Sequence, residues 1–422
     1  MPATNALRRL VHRVSDVRAG DAIRFADGTL TVSEADAQRA FADPALASVH
    51  LTVFHPGESA RIVKVLDAVE PRTKGAGGGG IFPGIVGPPE PQGRGDTHVL
   101  RGVAVVTAGY LPRAQEALVD MSGPAALSFL ATTHNVVVEF EPAPDADWEA
   151  VAAALGRGAV RCAVSLAEAA VDVEPDEVEE LPALDGSSDG AASLPRVGAL
   201  TNLQTQGAFK DVLVRGTSFG TSAPAAVNPS ELEDGMVVSA QYGHPALKNP
   251  TYLHQNHPIV AALRARDGQD LRFAGVVLSP EPVEQHRKEE VARQAAELCR
   301  DLGWDAAIVT KEGGGNADSD VALKMDALEA AGITAVGLFA EMAGADGTGA
   351  PVVAPPERAT AMVSTGNYDE RLQLPAVERA AGGERFDLVD APATATMEVP
   401  TALVYAALSP LGWGRLTAAA PG

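Results

Sequence analysis

Two groups of residues in this chain have types and spacings suited to chemistry. His244, His254 and His257 lie close together, and His254-Gln255-Asn256-His257 has a His-x-x-His spacing that can set two ligands on one helical face. Helix capping, or hydrogen bonding to a neighbouring loop, fits that spacing better, so no metal is expected. Imidazole titrates near neutral pH, so either His254 or His257 could instead donate a proton to a substrate. The second group is Glu312, Asn316, Asp318 and Asp320, set around the glycines at 313–315, which would let backbone approach a ligand closely. It can orient a substrate, with Glu312 as general acid or base. The structural alternative has Asp318 capping a helix and Asn316 closing a turn. Glu341 and Asn367 stand at comparable loops and complete the candidate binding residues. Arg61 and Arg72 could clamp a carboxylate bidentately, although lone arginines are common on surfaces. Cys162 and Cys299 lack Cys-x-x-Cys spacing, which excludes a disulfide framework, a cysteine zinc site and a dithiol carrier. Either thiol could pack or serve as a lone nucleophile. Other redox chemistry would take its sulfur or selenium from another chain.

These residues need a frame, and hydrophobic periodicity supplies one. Beyond about 196, strand-like runs (196–207, 210–217, 270–281, the start of 305–316, 334–344 and 359–367) alternate with helical patterns at 283–303 and 318–333. Such alternation implies a parallel sheet covered on both faces, with ligands beyond the carboxyl ends of its strands. Three loops fall there: 312–320, 341–346 and 365–370. A strand-like run at Met236–Ser239 opens into a polar loop, and a capped helix is expected to begin near Gln255. The earlier part of the chain is rich in short strands and loops, with a helix at about 145–155 and a short strand near Val160–Val164. The acidic stretch 173–196 reads as a linker or surface loop. The glycine cluster at 75–84 tempts a phosphate-loop reading, but Ile81-Phe82-Pro83-Gly84 follows it where a helix should start. Ser122 lacks the setting of a nucleophile elbow, so a turn is the better reading. The expected fold is α/β: a β-rich mixed N-terminal domain over 1–195 and a doubly wound parallel-sheet domain over 196–422.

The length of 422 residues fits two domains, and 46% apolar with 21% charged residues is the balance of a globular protein. A net charge of -22 argues against nucleic acid and against an anionic membrane surface. No apolar run approaches the roughly 18 residues of a spanning helix, and the N-terminus lacks the apolar core of a signal peptide. A cytoplasmic location is expected.

Eight stretches occur in order along the chain: HPGESARI (55–62), IFPGIVG (81–87), THVLRG (97–102), DMSGP (120–124), LQTQG (203–207), NPTYLHQNHP (249–258), TKEGGGNADSD (310–320) and VSTGN (363–367). With these the chain resembles, over nearly its whole length, the α/β proprotein of component B of glycine, sarcosine and betaine reductases. In that family the chain is cut within the central loop before a cysteine that becomes a pyruvoyl group. The pyruvoyl carbonyl forms a Schiff base with the substrate amine, which makes the substrate's carbon–nitrogen bond labile, and a partner selenocysteine or cysteine then displaces the nitrogen group.

Here the resemblance breaks. The family's Ser-Gly-Asn-Cys, with a second Cys four residues on, reads Ser239-Ala240-Gln241-Tyr242 and then Ala246. A phenol cannot reach its own backbone carbonyl and has no β-leaving group, so an uncleaved chain without pyruvoyl is expected. Ser239 and Ser222 are not at the family's cleavage position. Tyr242 then stands where the cofactor would be, either filling the old substrate cavity or acting on a substrate with His254 and Glu312. The resemblance implies a reductase-complex subunit that positions a small substrate for a partner chain's cysteine or selenocysteine, in a hetero-oligomer. The alternative is a non-catalytic scaffold that stabilises that partner.

Overall fold

The computed structural model describes residues 6–75, 79–123, 127–182, 184, 193–205, 212–220, 222–239, 243–359 and 361–413. The fold is mixed α/β, with several sheets. The six-stranded sheet carries the candidate site. Its order is Ala225–Val227, Arg272–Glu281, Arg196–Gln204, Ala306–Thr310, Thr334–Glu341 and Ala361–Asn367, all parallel except the first strand. Alternate residues of its strands serve opposite faces, as the pleat requires. Ala199, Leu203, Val276 and Leu278 pack with Ile259, Val260 and Leu263 of the helix Pro258–Arg266. Leu200, Val277, Ala307 and Val309 pack with Ala295 and Cys299 of Gln285–Asp301 and with Val321 and Met325 of Asn316–Ala330. Both faces are therefore covered, which is why these strands read as nearly continuous apolar runs.

The earlier part of the chain forms two four-stranded sheets. One runs Glu177–Leu181, Leu7–Arg13, Gly95–Arg101, Arg72–Lys74; the other runs Leu46–Phe54, His134–Pro142, Val103–Ala108, Val65–Val69. A third sheet joins distant parts of the chain, because Arg379–Ala381 pairs in parallel with Ala60–Val63. Among the described residues, one helix, Trp148–Glu168, is long and apolar enough to cross a membrane, and most of it is buried here. It lies against Val65–Val69, Arg72–Lys74 and Val103–Ala108.

Four sequence expectations need correction. Val160–Val164 is not a strand but the middle of Trp148–Glu168, whose apolar face is wide enough to mimic a buried strand. That merger also supplies the long apolar element the sequence reading missed. The acidic 173–196 stretch is not linker throughout: Glu177–Leu181 pairs antiparallel with Leu7–Val11, where Arg9 and Arg13 meet its carboxylates. The expected strand over 210–217 is two short pieces, Leu213–Val214 and Thr217–Ser218, of a hairpin. The capped helix starts at Pro258, after a separate short helix Thr251–Gln255.

Candidate functional site

The carboxyl ends of the parallel strands are lined with buried polar side chains. Glu312 follows the strand Ala306–Thr310 and is 1% exposed. Its Oε1 accepts from the Asn249 backbone N–H at 3.1 Å and its Oε2 from that of Gln204 at 3.4 Å. Burial pushes its carboxyl up to about 7, against the opposing pull of Lys248. Asn249 is locked in turn: its Nδ2 donates to the Lys311 carbonyl at 2.8 Å, and its Oδ1 accepts from Ser409 at 2.7 Å.

Lys248 is buried beside these groups, and its Nζ donates to Ser239 Oγ at 2.9 Å. Burial lowers its pKa, while Glu312 and Asp67 pull it back up. Asp67 closes the arrangement. Its Oδ2 accepts from Thr251 Oγ1 at 2.6 Å, and Thr251 Oγ1 accepts from the Ser239 N–H at 2.9 Å. Burial raises Asp67 to about 6.

The histidines sit on the same flank. His257 caps Pro258–Arg266: its Nδ1 accepts from the Val260 N–H at 3.4 Å. Nε2 therefore carries the proton and donates to Thr201 Oγ1 at 3.0 Å. Burial drives His257 down to about 3, so it is neutral near pH 7. His254 is fully buried with neither ring nitrogen hydrogen-bonded to a described residue; burial, then His257 and Lys248, lowers its pKa well below the ordinary value. His244 adopts a left-handed backbone at φ 48° and donates its N–H to Gln115 Oε1 at 2.6 Å. Its ring is shifted down by burial and by Lys311, with Asp318 opposing.

A second layer lies under the first. Asp318 forms a close ion pair with Lys311, and Asp320 with Lys288; Lys324 is 4.0 Å from Asp320 and donates to the Pro280 carbonyl at 2.9 Å. Glu281 is buried among them and raised well above the ordinary carboxylate value by burial, then by Asp320. Charges this deep persist only when paired.

The structure thus brings together Glu312, His254 and His257, with Asp318 and Asp320 in the layer behind. Asp318 is not a helix cap: Gly315 holds that position, and Asp318 binds Lys311. Asn316 opens the helix, and its carbonyl accepts from Lys288 at 3.2 Å. Glu341 and Asn367 are register partners on adjacent strands, and Asn367 ties down the Gly344 carbonyl at 2.8 Å. Tyr242 lies outside the described residues. Arg61 and Arg72 are not carboxylate clamps for a ligand. Arg61 donates to Asp120 and to the carbonyls of Pro375, Ala393 and Ala395, and Arg72 to Glu70, Asn256 and the Glu233 carbonyl. Both cysteines are buried, with thiols pushed up to about 12, which keeps them protonated.

Sequence reasoning missed Asp67, Lys248 and Thr251, and weighed Ser239 only against the family's cleavage position. Asp67 sits in the apolar run Val65–Val69, where a lone carboxylate between buried Leu66 and Ala68 was the available signal. Lys248, Lys288, Lys311 and Lys324 are all fully buried, and Lys324 stands on an apolar helix face. A cleft of about 580 Å³ lies nearby, lined by Arg9, Arg101, Arg264, Glu179, Glu233 and His257 among others. Its arginines and glutamates pair with one another, and its walls do not include Glu312 or Lys248. The chemistry therefore points to the buried cluster, and His257 touches both. Among the described residues, no group of three or more His, Cys, Asp or Glu is arranged to hold a metal ion.

Comparison with known proteins agrees with the motifs. The family described as glycine/sarcosine/betaine reductase component B subunits matches residues 6–408. The chain is 35% identical over 417 residues to the glycine reductase complex component B subunits alpha and beta of Peptoclostridium acidaminophilum, covering 96% of this chain and 97% of that protein. It is 33% identical over 374 residues to the sarcosine reductase complex component B subunit alpha of the same organism, 87% of each chain. To the betaine reductase complex component B subunit alpha it is 32% identical over 375 residues. No solved structure matches.

Proposed function

Because the chain belongs to the glycine/sarcosine/betaine reductase component B family, we propose that it is a subunit of a reductase complex that binds and positions a small substrate for reductive cleavage by a partner chain's cysteine or selenocysteine. The observation that carries this reading is the polar filling of the site: Lys248, Ser239, Asp67, Thr251 and Glu312 form one buried group at the sheet's carboxyl ends. A chain kept only as a scaffold has no need for it, since buried charges cost stability that apolar residues would not.

In this reading the chain stays uncleaved and holds no pyruvoyl group. Position 242 is tyrosine, which lacks the chemistry that makes that group. Of the serines nearby, Ser239 is held on both sides, by Lys248 at its hydroxyl and by Thr251 at its N–H. Tyr242 would contact the substrate, and Glu312, with its carboxyl raised to about 7, would exchange a proton with it. His254 is the second proton-exchanging candidate. His244, His257, Asn316, Asp318, Asp320, Glu341 and Asn367 orient the substrate or hold the groups that do.

Intact mass with and without borohydride tests the cofactor part. One species near 43.4 kDa, unaltered by hydride, is the expected result. Two fragments, one with a hydride-reducible carbonyl at its N-terminus, would overturn it. Co-purification from a native host tests the complex: a partner carrying a reactive cysteine or selenocysteine is expected, and its absence would overturn this reading together with the scaffold that stabilises such a partner.

A further inference from the structure

The cleft of about 580 Å³ lies between two walls: the face of the first four-stranded sheet that carries Arg9, Arg101 and Glu179, and the helix Pro258–Arg266, which brings Arg264. The ion pairs along it form one chain. Arg101 meets Glu179, Glu179 meets Arg9, Arg9 lies 3.3 Å from Glu233, and Glu233 lies 3.8 Å from Arg264. Other charged groups of the lining have partners of their own: Arg13 with Glu177, Glu70 with Arg72, and Asp267 with Arg272. Glu180 alternates to the sheet's other face, where it stands opposite Arg8. Three guanidiniums therefore share two carboxylates, an excess of one positive charge. That excess stands in a chain whose net charge is -22.

We propose that this cleft is a separate binding site for a monocarboxylate with an apolar body, whose carboxylate meets Arg264 and Arg9. The inference goes beyond the reductase reading, and it needs neither a partner chain nor the buried cluster around Glu312. The helix Thr251–Gln255 borders both places. Thr251 and His254 belong to the cluster, whereas Tyr252, Leu253 and Gln255 line the cleft.

Arg264 is the least compensated of the three cations. Its side chain is 10% exposed, and its terminal nitrogens donate to neutral groups, the Pro182 carbonyl at 3.1 Å and Ser230 Oγ at 2.8 Å. Its Nε and that of Arg9 have no hydrogen-bond partner among the described residues. A cation this buried is costly without a close anion, and a carboxylate offers the planar pair of acceptors that suits a guanidinium. The remainder of the lining decides the ligand's body. Leu181, Leu232, Leu253, Val260 and Ala261 present hydrocarbon, and the volume falls within the roughly 300–1,000 Å³ of sites for organic ligands. Acetate or a two-carbon amino acid would leave most of it empty. A protonated amine would meet the excess positive charge, and a polyphosphate would bring more negative charge than one guanidinium balances.

The test titrates the full chain with para-fluorobenzoate, para-fluorobenzyl alcohol and para-fluorobenzylamine, followed by fluorine NMR near pH 7. The carboxylate should bind saturably, the alcohol about tenfold or more weaker, and the protonated amine not at all. Arg264→Met should weaken the carboxylate by about tenfold or more. Glu233→Gln, which removes a competing carboxylate, should tighten it. Ala261→Trp, at an exposed helix position beside the cleft, should block it without disturbing the core. No saturable binding, equal binding of alcohol and carboxylate, or binding that survives Ala261→Trp overturns the proposal. Displacement by acetate as strong as that by unlabelled benzoate overturns the apolar body. The outcome is separable from the reductase reading: a chain that captures its partner yet ignores the carboxylate loses only this site, and one that binds the carboxylate without a partner loses only the complex.

Discussion

Glu312 shows how one buried residue can report on a whole site. Its carboxyl moves from 4.5 to about 7 on folding, so between those values the folded chain holds a proton that the unfolded chain has released. Stability must therefore fall as pH rises through that window. Glu312→Gln keeps the shape and removes the titration, so urea unfolding from pH 4.5 to 7 should show a flatter dependence on pH than the parent. An identical slope in both would mean that Glu312 does not titrate there. His257 acts with the opposite sign. Held down at about 3 when folded against 6.5 otherwise, it contributes stability above 6.5 that is lost as pH falls towards 3. His257→Asn should be less acid-sensitive than the parent over that range, measured the same way.

At the scale of elements, packing overrides local preference. Gly158 lies inside Trp148–Glu168, where Ala would ordinarily improve a helix by about 1 kcal/mol. The Phe41 ring occupies the space a Cβ would take. Gly158→Ala should therefore destabilise by about 1–3 kcal/mol, the cost of overpacking. Thermal unfolding decides it, and a raised Tm would show that the ring yields. The same helix explains the misread strand at Val160–Val164: every side chain there except Arg161 is buried, so the 3.6-residue period is hidden. Glu177–Leu181 was misread for the reverse reason. Its carboxylates look like solvated linker until Arg9, Arg13 and Arg101 are brought beside them.

At the scale of the molecule, the chain returns from residue 379 to pair with strand Ala60–Val63, and Arg61 holds that return. All five of its N–H donors are used, on Asp120 and on the carbonyls of Pro375, Ala393 and Ala395. Arg61→Ala leaves Asp120 buried and unpaired, a loss of about 3–5 kcal/mol. Hydrogen exchange should rise first across 375–395 while the six-stranded sheet stays protected. Uniform exchange across the chain would mean that Arg61 serves global stability and not this junction.

Composition, periodicity and motifs by themselves determined the α/β character, the parallel strands from Arg196 onward and the family, because those signals are local and repeat along the chain. They also placed Glu312 just beyond a strand end, since a strand–loop–helix pattern marks its own carboxyl edge, whereas Asp318 and Asp320 lie within the helix that follows. The tertiary structure alone decided which polar residues share a site. Asp67 and Thr251, or Arg61 and Ala393, are far apart in sequence, and no local pattern pairs them. It also decided that Arg61 and Arg72 are internal struts. A guanidinium reads as a surface group until the carbonyls and carboxylates that consume its donors are folded around it.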